Sequence, residues 1–348
     1  MKKQHIITPA GLALLCSSSA AFAIDFSADV VLEAQHQEET EYDHTFVRAE
    51  VAPTIALNEQ WSIDGVIVLE PMDKDMHFSR RVVDREGVFA EELKLNYSTD
   101  TLVLFAGKFN PGFGTAWDAR GIWGEDFAED YEITEKLGFG AAYTLQTANW
   151  GSHTLTASTF FSDTSFLSQS VVTSRGRTRL ADGGAGNTED FSSYAVSLDG
   201  DELAGIAGLN YHLAYRFQEH GDANVGADDE SGYAATLNYT HALTQRVTVN
   251  LMQEYVIIDN FDSSADDYTY NTSSLITTID DKWNVTLGYT ERVIDVSGGS
   301  QTDDHLFQVS GGYDFGNGLT LDAGWRFVEE SNHDHDTFGL LGRYQFGL

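Results

Sequence analysis

Scarce basic side chains in a very acidic chain are the first residues whose chemistry needs an explanation. There are 20 lysines and arginines against 54 aspartates and glutamates, a formal net charge of −34. Arg48, Lys94, Lys108, Arg326 and Arg343 each fall on the polar side of an alternating segment, as do Arg216 and Arg292. Cations gathered on one wall would attract anions and set a field that sorts solutes by charge and dipole. The plainer alternative is that each simply pairs with a neighbouring carboxylate. A second group is acidic: Asp118, Glu125, Asp126, Glu129 and Asp130, interleaved with Trp117, Trp123, Phe127 and Tyr131. A fully solvated loop has little use for four large rings, so this run is expected to pack. Set opposite the basic residues across water, it would form a transverse field.

Other constellations carry less chemistry. His333-Asp334-His335-Asp336 puts two imidazoles on one side of an extended chain. That arrangement suits Zn or Cu, but an acidic solvated tip in a last external loop explains it more simply. The acidic tips Asp228-Asp229-Glu230 and 262–267 lack the glycine-spaced order of a dedicated Ca²⁺ loop. No metal site and no cofactor are assigned. The chain has no G-x-S-x-G, H-E-x-x-H or P-loop pattern, and no catalytic residue is assigned.

The elements that would hold these residues are strands. From Phe338 to Leu348, Phe338, Leu340, Gly342, Tyr344, Phe346 and Leu348 share one face. Thr337, Gly339, Arg343, Gln345 and Gly347 share the other, with Leu341 as the apolar intruder. Period-two alternation gives one greasy wall and one polar wall. The same pattern recurs in about sixteen segments, each near the ~9–11 residues that a tilted membrane strand needs. Short turns such as Asn58-Glu59-Gln60, Asp280-Asp281-Lys282 and Gly316-Asn317-Gly318 alternate with longer connections. The longer ones fall at 36–44, 71–87, 110–136, 162–190, 218–232, 258–267, 294–304 and 328–336. Pro53 interrupts the second segment, where it marks a bulge or an earlier strand end.

The first residues read as a targeting segment. Met1-Lys2-Lys3, the apolar run from Ile6 and Ala21-Phe22-Ala23 predict a signal peptide over 1–23. Cleavage there removes Cys16 and leaves a cysteine-free secreted chain. Beyond it, no apolar run approaches the ~20 residues of a spanning helix. In lipid every backbone amide needs an internal partner, so a spanning chain of this kind must close into a barrel. The expected fold is all-β: a transmembrane antiparallel β-barrel over 24–348, with long external loops and short periplasmic turns. A soluble β-sandwich also alternates, but a chain of this length would need several domains and linkers. So acidic a surface repels nucleic acid.

The sixteen-strand plan, the acidic and aromatic third loop and the closing aromatic strand resemble the Gram-negative outer-membrane porins of the trimeric type. Gly107-Lys108-Phe109-Asn110-Pro111-Gly112-Phe113-Gly114 is similar to the strand-end motif of the phosphate-selective porin group. The resemblance implies passive diffusion of small hydrophilic solutes and ions. It also implies a homotrimer among outer-membrane lipid and lipopolysaccharide, with 110–136 as a constriction loop. Its basic lumen residues would be Arg48, Lys94, Lys108, Arg326 and Arg343. The acidity, and the lack of a dense lysine cluster, point instead to cation preference or weak selectivity. The rival from another class is a barrel that captures a specific ligand, such as a siderophore, through loops 110–136 and 162–190. A third is a barrel enzyme, for which His153 and His241 near periplasmic strand ends give no support.

Overall fold

The computed structural model describes residues 25–39, 43–72, 86–119, 121, 126–221 and 228–348. The expected signal peptide and Glu125 lie outside these residues. Sixteen strands follow one another in chain order: β1 (Asp25–Glu39), β2 (Asp43–Ala56), β3 (Trp61–Pro71), β4 (Glu86–Ser98), β5 (Leu102–Phe109), β6 (Lys136–Thr147), β7 (Gly151–Ser162) and β8 (Ser193–Asp201). The second half holds β9 (Leu209–Gln218), β10 (Glu230–Ala242), β11 (Val247–Asp259), β12 (Asp267–Ile279), β13 (Trp283–Asp295), β14 (Gln301–Asp314), β15 (Leu319–Glu330) and β16 (His333–Gly347). Each strand pairs antiparallel with its chain neighbours, and β16 pairs with β1 to close the barrel.

Closure is explained by where the side chains point. Leu104, Phe139, Tyr143 and Leu145 are 43–51 % exposed, whereas Thr272, Thr286, Thr290 and Gln308 are 0 % exposed. A soluble domain buries the opposite set, so the outside of this sheet is matched to lipid. Near the short turns, Trp61 packs on Tyr97 at 5.0 Å and Trp283 on Tyr313 at 4.6 Å, cross-strand pairs of the periplasmic aromatic girdle.

Three local expectations need correction. Residues 36–44 and 328–336 are not long loops. β1 and β2 run on to Glu39 and from Asp43, and β15 and β16 meet across Ser331-Asn332, both left-handed at φ 53° and 62°. His333 to Asp336 therefore lie in β16 and not in a loop tip. Likewise the 294–304 connection shrinks to 296–300, between β13 and β14. Polarity ends the membrane band but not the pairing, so hydrogen-bonded strands continue beyond the bilayer.

Pro53 causes neither a bulge nor a strand end. β2 continues through it, paired to Ala28, while its ladder to β3 passes from Val51↔Ile67 to Thr54↔Asp64. The proline has no N–H to donate, the β3 ladder carries no pair at Ala52 or Pro53, and the ring lies beside Gly65. The bulge lies one strand over, where Val66↔Glu92 gives way to Ile67↔Ala90 and Glu91 is the extra residue. Glu91 is thereby buried and not presented to lipid.

Candidate functional site

The chain leaves the wall at the end of β5. Gly107 has φ 137°, and a Cβ there would lie 2.3 Å from the Leu93 carbonyl oxygen, so only glycine lets β5 approach β4 in this way. Asn110 then ties the departing chain to the returning one. Its Nδ2 donates to Glu91 (2.9 Å), its backbone N–H to Glu92 (3.2 Å), and its Oδ1 accepts from the Glu135 N–H (2.8 Å). Lys108 closes this root from below, with Nζ 2.8 Å from Glu135, 2.9 Å from Asp163 and 3.1 Å from the Leu167 carbonyl. Arg175 adds a second cation on Glu135 and stacks on Phe89 at 3.6 Å. Where β5 has left, the β4 edge is filled from the β7–β8 connection. Ser170 Oγ accepts from the Val88 N–H, and the Val171 N–H donates to the Val88 carbonyl.

The described residues between these roots lie inside the barrel. The apolar ones, Phe113, Ala116, Phe127, Ala128, Tyr131 and Ile133, form one buried cluster with inward-facing wall residues. On the wall those partners are mostly small or aliphatic, among them Ala195, Ala214, Ala234, Val256, Leu306 and Val328, with Phe160 and Tyr270 as aromatic partners. A polar lumen wall would leave such a loop nothing to pack against.

Glu254 on β11 is the main polar anchor. At 1 % exposure it accepts from the N–H groups of Thr115 (2.7 Å) and Ala116 (3.1 Å), from the hydroxyls of Thr115 (3.0 Å) and Thr236, and from the Tyr131 hydroxyl. Gly114 makes the approach feasible: its φ is 71°, and a Cβ would meet the Tyr131 ring at 2.6 Å. Three arginines hold the short helix α1 (Asp126–Glu129) and the residues just after it. Arg326 on β15 pairs with Asp126, and Arg292 on β13 donates to Asp130 at 2.7 Å with its guanidinium 4.2 Å above Phe127. Arg216 on β9 donates to the Tyr131 carbonyl at 2.6 Å and pairs with Glu230. Beyond its roots, the described part of the loop thus packs on β7–β15.

On the wall of β16 and β1–β4 a charged row runs across neighbouring strands. Glu33 on β1 stands directly between Arg343 on β16 and Arg48 on β2. Arg343 Nε donates to Glu33 at 2.7 Å, and Arg48 lies 3.4 Å from Glu70 on β3. Lys94 on β4 pairs with Glu92 at 2.9 Å. From the loop side, Asp118 sits in a single 3₁₀ turn, Ala116–Asp118, and the cation that acts on it is Arg343. Burial, reinforced by the Glu132 carboxylate, pushes Asp118 up to about 8 against the pull of that guanidinium.

The sequence-based candidates therefore separate into three groups. Arg48, Arg343 and Lys94 share the wall of β16 and β1–β4 and face inward with carboxylates between them. Arg326 is set apart from them: it pairs with Thr337 on β16, six residues along from Arg343, and it holds Asp126. Lys108 is 0 % exposed at the loop root, so it has no surface in the lumen; the end of β5 turns it into the Glu135–Asp163 cluster. Asp126 and Asp130 touch Arg326 and Arg292 directly and do not oppose them across water. Glu129 lies in α1, half-buried. The alternation pattern does not single out Glu254, Glu33 or Glu70. The signal for Glu254 is present as the apolar intruders Val256 and Ile258 beside it on the inward face of β11.

Beneath the loop, on its periplasmic side, is a chamber of about 380 Å³. It lies between the 115–119 segment and the inner faces of β10, β11 and β12.

No protein-family profile matches the chain, and no curated protein sequence matches it. Solved structures do. OmpT of Vibrio cholerae, an outer membrane protein, in its form lacking loop L8, is 13 % identical with a TM-score of 0.56, over 93 % of this chain and 99 % of that one. The outer membrane channel DcaP of Acinetobacter baumannii is 12 % identical with a TM-score of 0.56, over 93 % and 97 %. The outer membrane protein OpdK of Pseudomonas aeruginosa is 10 % identical with a TM-score of 0.58, over 93 % and 99 %. The fold is that of an outer-membrane β-barrel. These identities are low enough that the likeness extends to the fold and no further.

Proposed function

We propose that the chain is an outer-membrane diffusion channel for small hydrophilic solutes and ions. The observation that carries this reading is the 110–135 segment pinned at Glu254 inside a closed barrel. In this reading it narrows the lumen, and the water path runs between the loop and the wall of β16 and β1–β4. In this reading the constriction is lined by Arg48, Arg343 and Lys94 with Glu33, Glu70 and Glu92 on the wall, and by Asp118 and Glu132 on the loop. Arg326, Asp126 and Asp130 shape it by holding the loop in place. Alternating signs along the wall favour weak selectivity, and the overall acidity biases it toward cations. The Gly107–Gly114 stretch serves here to let the chain leave the wall, so no phosphate preference is assigned to it.

Residues 1–23 act in this reading as the secretory signal. A homotrimer is favoured by the outer wall itself. The external half of β1–β4 presents Leu32, Ala34, Val47, Ala49, Ile67 and Ala90 without an aromatic among them, whereas β5–β15 carry the rings that anchor a surface in lipid. One of the similar structures, OmpT of Vibrio cholerae, is described in a trimer form. Purified protein in a planar bilayer should give stepwise conductance, and a silent, sealed barrel would overturn the channel reading. Ligand capture is the competing reading, favoured by the packing of Asp163, Ser168 and Ser170 at the external mouth. Block of conductance by a micromolar ligand would decide for it.

A further inference from the structure

The chamber beneath the loop has a chemistry of its own. Its walls are Asn238 and Thr240 on β10, Thr248 and Asn250 on β11, and Ser274 and Thr278 on β12. Met252, Ile276 and Ala119 supply apolar patches among them, and Thr115 and Asp118 form the roof. Among these residues Asp118 is the single ionisable one. No opposite charge lines the space, so a bare ion gains nothing there that water does not give it. Hydroxyls and side-chain amides each offer a donor and an acceptor, which suits a solute that carries several of both. The amides are held in place: Asn250 Nδ2 donates to Asn238 and to Thr240 (2.8 Å). Ser274, by contrast, is 4 % exposed, and its Oγ has no hydrogen-bond partner among the described residues. Asp118 Oδ1 likewise is buried without a partner among them. Buried polar atoms are ordinarily satisfied, and a turn about the Cα–Cβ bond of Ser274 would bring its hydroxyl from the wall into the chamber, where a guest could meet it.

We infer that this chamber is a subsite for a small, uncharged, polyhydroxylated solute of sugar or polyol type, met immediately after the constriction. The inference rests on the channel reading and narrows its solute class. Hydroxyls of the solute bond to Ser274, Thr248, Asn250 and Thr278, while its C–H faces lie against Met252 and Ile276. The volume is within the range of small-molecule sites but at its lower end, which limits the guest to a compact one.

Glucose is the probe, added to single channels carrying a potassium chloride current. Wild type should show a saturable reduction of that current at millimolar glucose, and gluconate, its carboxylate counterpart, should need a higher concentration. The near-isosteric variant combining Thr248→Val, Ser274→Ala and Thr278→Val should raise the half-blocking glucose concentration at least about fivefold, the worth of one lost hydrogen bond. Retained heat-modifiable mobility of the variant would show that its barrel has formed. If wild type conducts but glucose acts without saturation, or the variant blocks at the same concentration, the subsite is overturned while the channel stands. A wild type that carries no current overturns the channel reading, and the subsite falls with it.

Discussion

In the proposed channel a single carboxylate, Glu254, sets where the loop sits and so the width of the passage. Five donors converge on it, two of them backbone amides of the loop. A carboxylate can accept all of them, whereas an amide must turn its NH₂ toward donors. Glu254→Ala leaves these groups buried without a partner, at about 1–3 kcal/mol each. The loop is then expected to leave the wall, raising single-channel conductance at least about twofold and adding open-channel noise; Glu254→Gln should fall between. Conductance no different from wild type would show that the apolar cluster alone holds the loop. Asp118 makes a prediction of opposite kind. Its carboxyl titrates at about 8, so it is mostly neutral at pH 7 and gains a negative charge as the pH rises. The preference for cations should therefore grow between pH 7 and 9 in wild type and stay flat in Asp118→Asn. The folding sign agrees: a carboxyl raised by burial favours the packed loop at low pH and loses that contribution as pH climbs through 8.

At the scale of elements, the barrel wall and the loop inside it obey different rules, and they are unequally legible. All sixteen strands are visible from alternation, because lipid outside and water inside impose period two on every crossing. Connections are harder. The polar ends of β1, β2, β15 and β16 look like loops in sequence because pairing beyond the bilayer needs no apolar face. For the loop, Trp117, Phe127 and Tyr131 announce packing but not against which strands. The answer lies in residues that break the inward polar pattern, such as Ala214, Val256 and Leu306, and these read as noise until the loop is laid on them. Lys108 misleads for a related reason: counting faces places it inward, but Gly107 twists the end of β5 and Glu135 and Asp163 capture it. That root is testable. Lys108→Met keeps the bulk but leaves Asp163 buried, with a side chain 1 % exposed, and its cation gone. Breaking a buried pair from one side costs about 3–5 kcal/mol. Because the substitution leaves the backbone pairing of Lys108 with Leu93 and Leu137 in place, the loss should appear locally. External protease should cut the 111–134 or 163–192 region faster, while the barrel keeps its heat-modifiable mobility; equal cutting rates would mean the root is held by Asn110 and Arg175 without Lys108.

For the whole molecule, net charge and local charge pull on selectivity in different ways. The chain carries a large negative excess, which draws cations toward both mouths. At the narrowest part of the proposed path the row Arg343–Glu33–Arg48–Glu70 holds two charges of each sign, so its own field nearly cancels for a monovalent ion passing the whole row. Wild type should thus show a modest cation preference that weakens as salt screens the mouths, since the Debye length falls from about 10 Å at 0.1 M to about 3 Å at 1 M. Removing both arginines, as Arg48→Gln with Arg343→Gln, leaves Glu33 and Glu70 unopposed. The reversal potential in a salt gradient should then move clearly toward the cation limit, and the shift should persist at 1 M because the two glutamates act within a few ångströms of the ion. Replacing Glu33 and Glu70 by Gln should move it the other way. Neutralising Arg326 is the informative contrast. It holds Asp126 and stands six residues along β16 from Arg343, so it should alter conductance through the loop and leave ion preference largely in place. If instead the Arg48 and Arg343 variant keeps the wild-type reversal potential, the row does not border the narrowest water path. The constriction would then have to be sought between the loop and some other part of the wall.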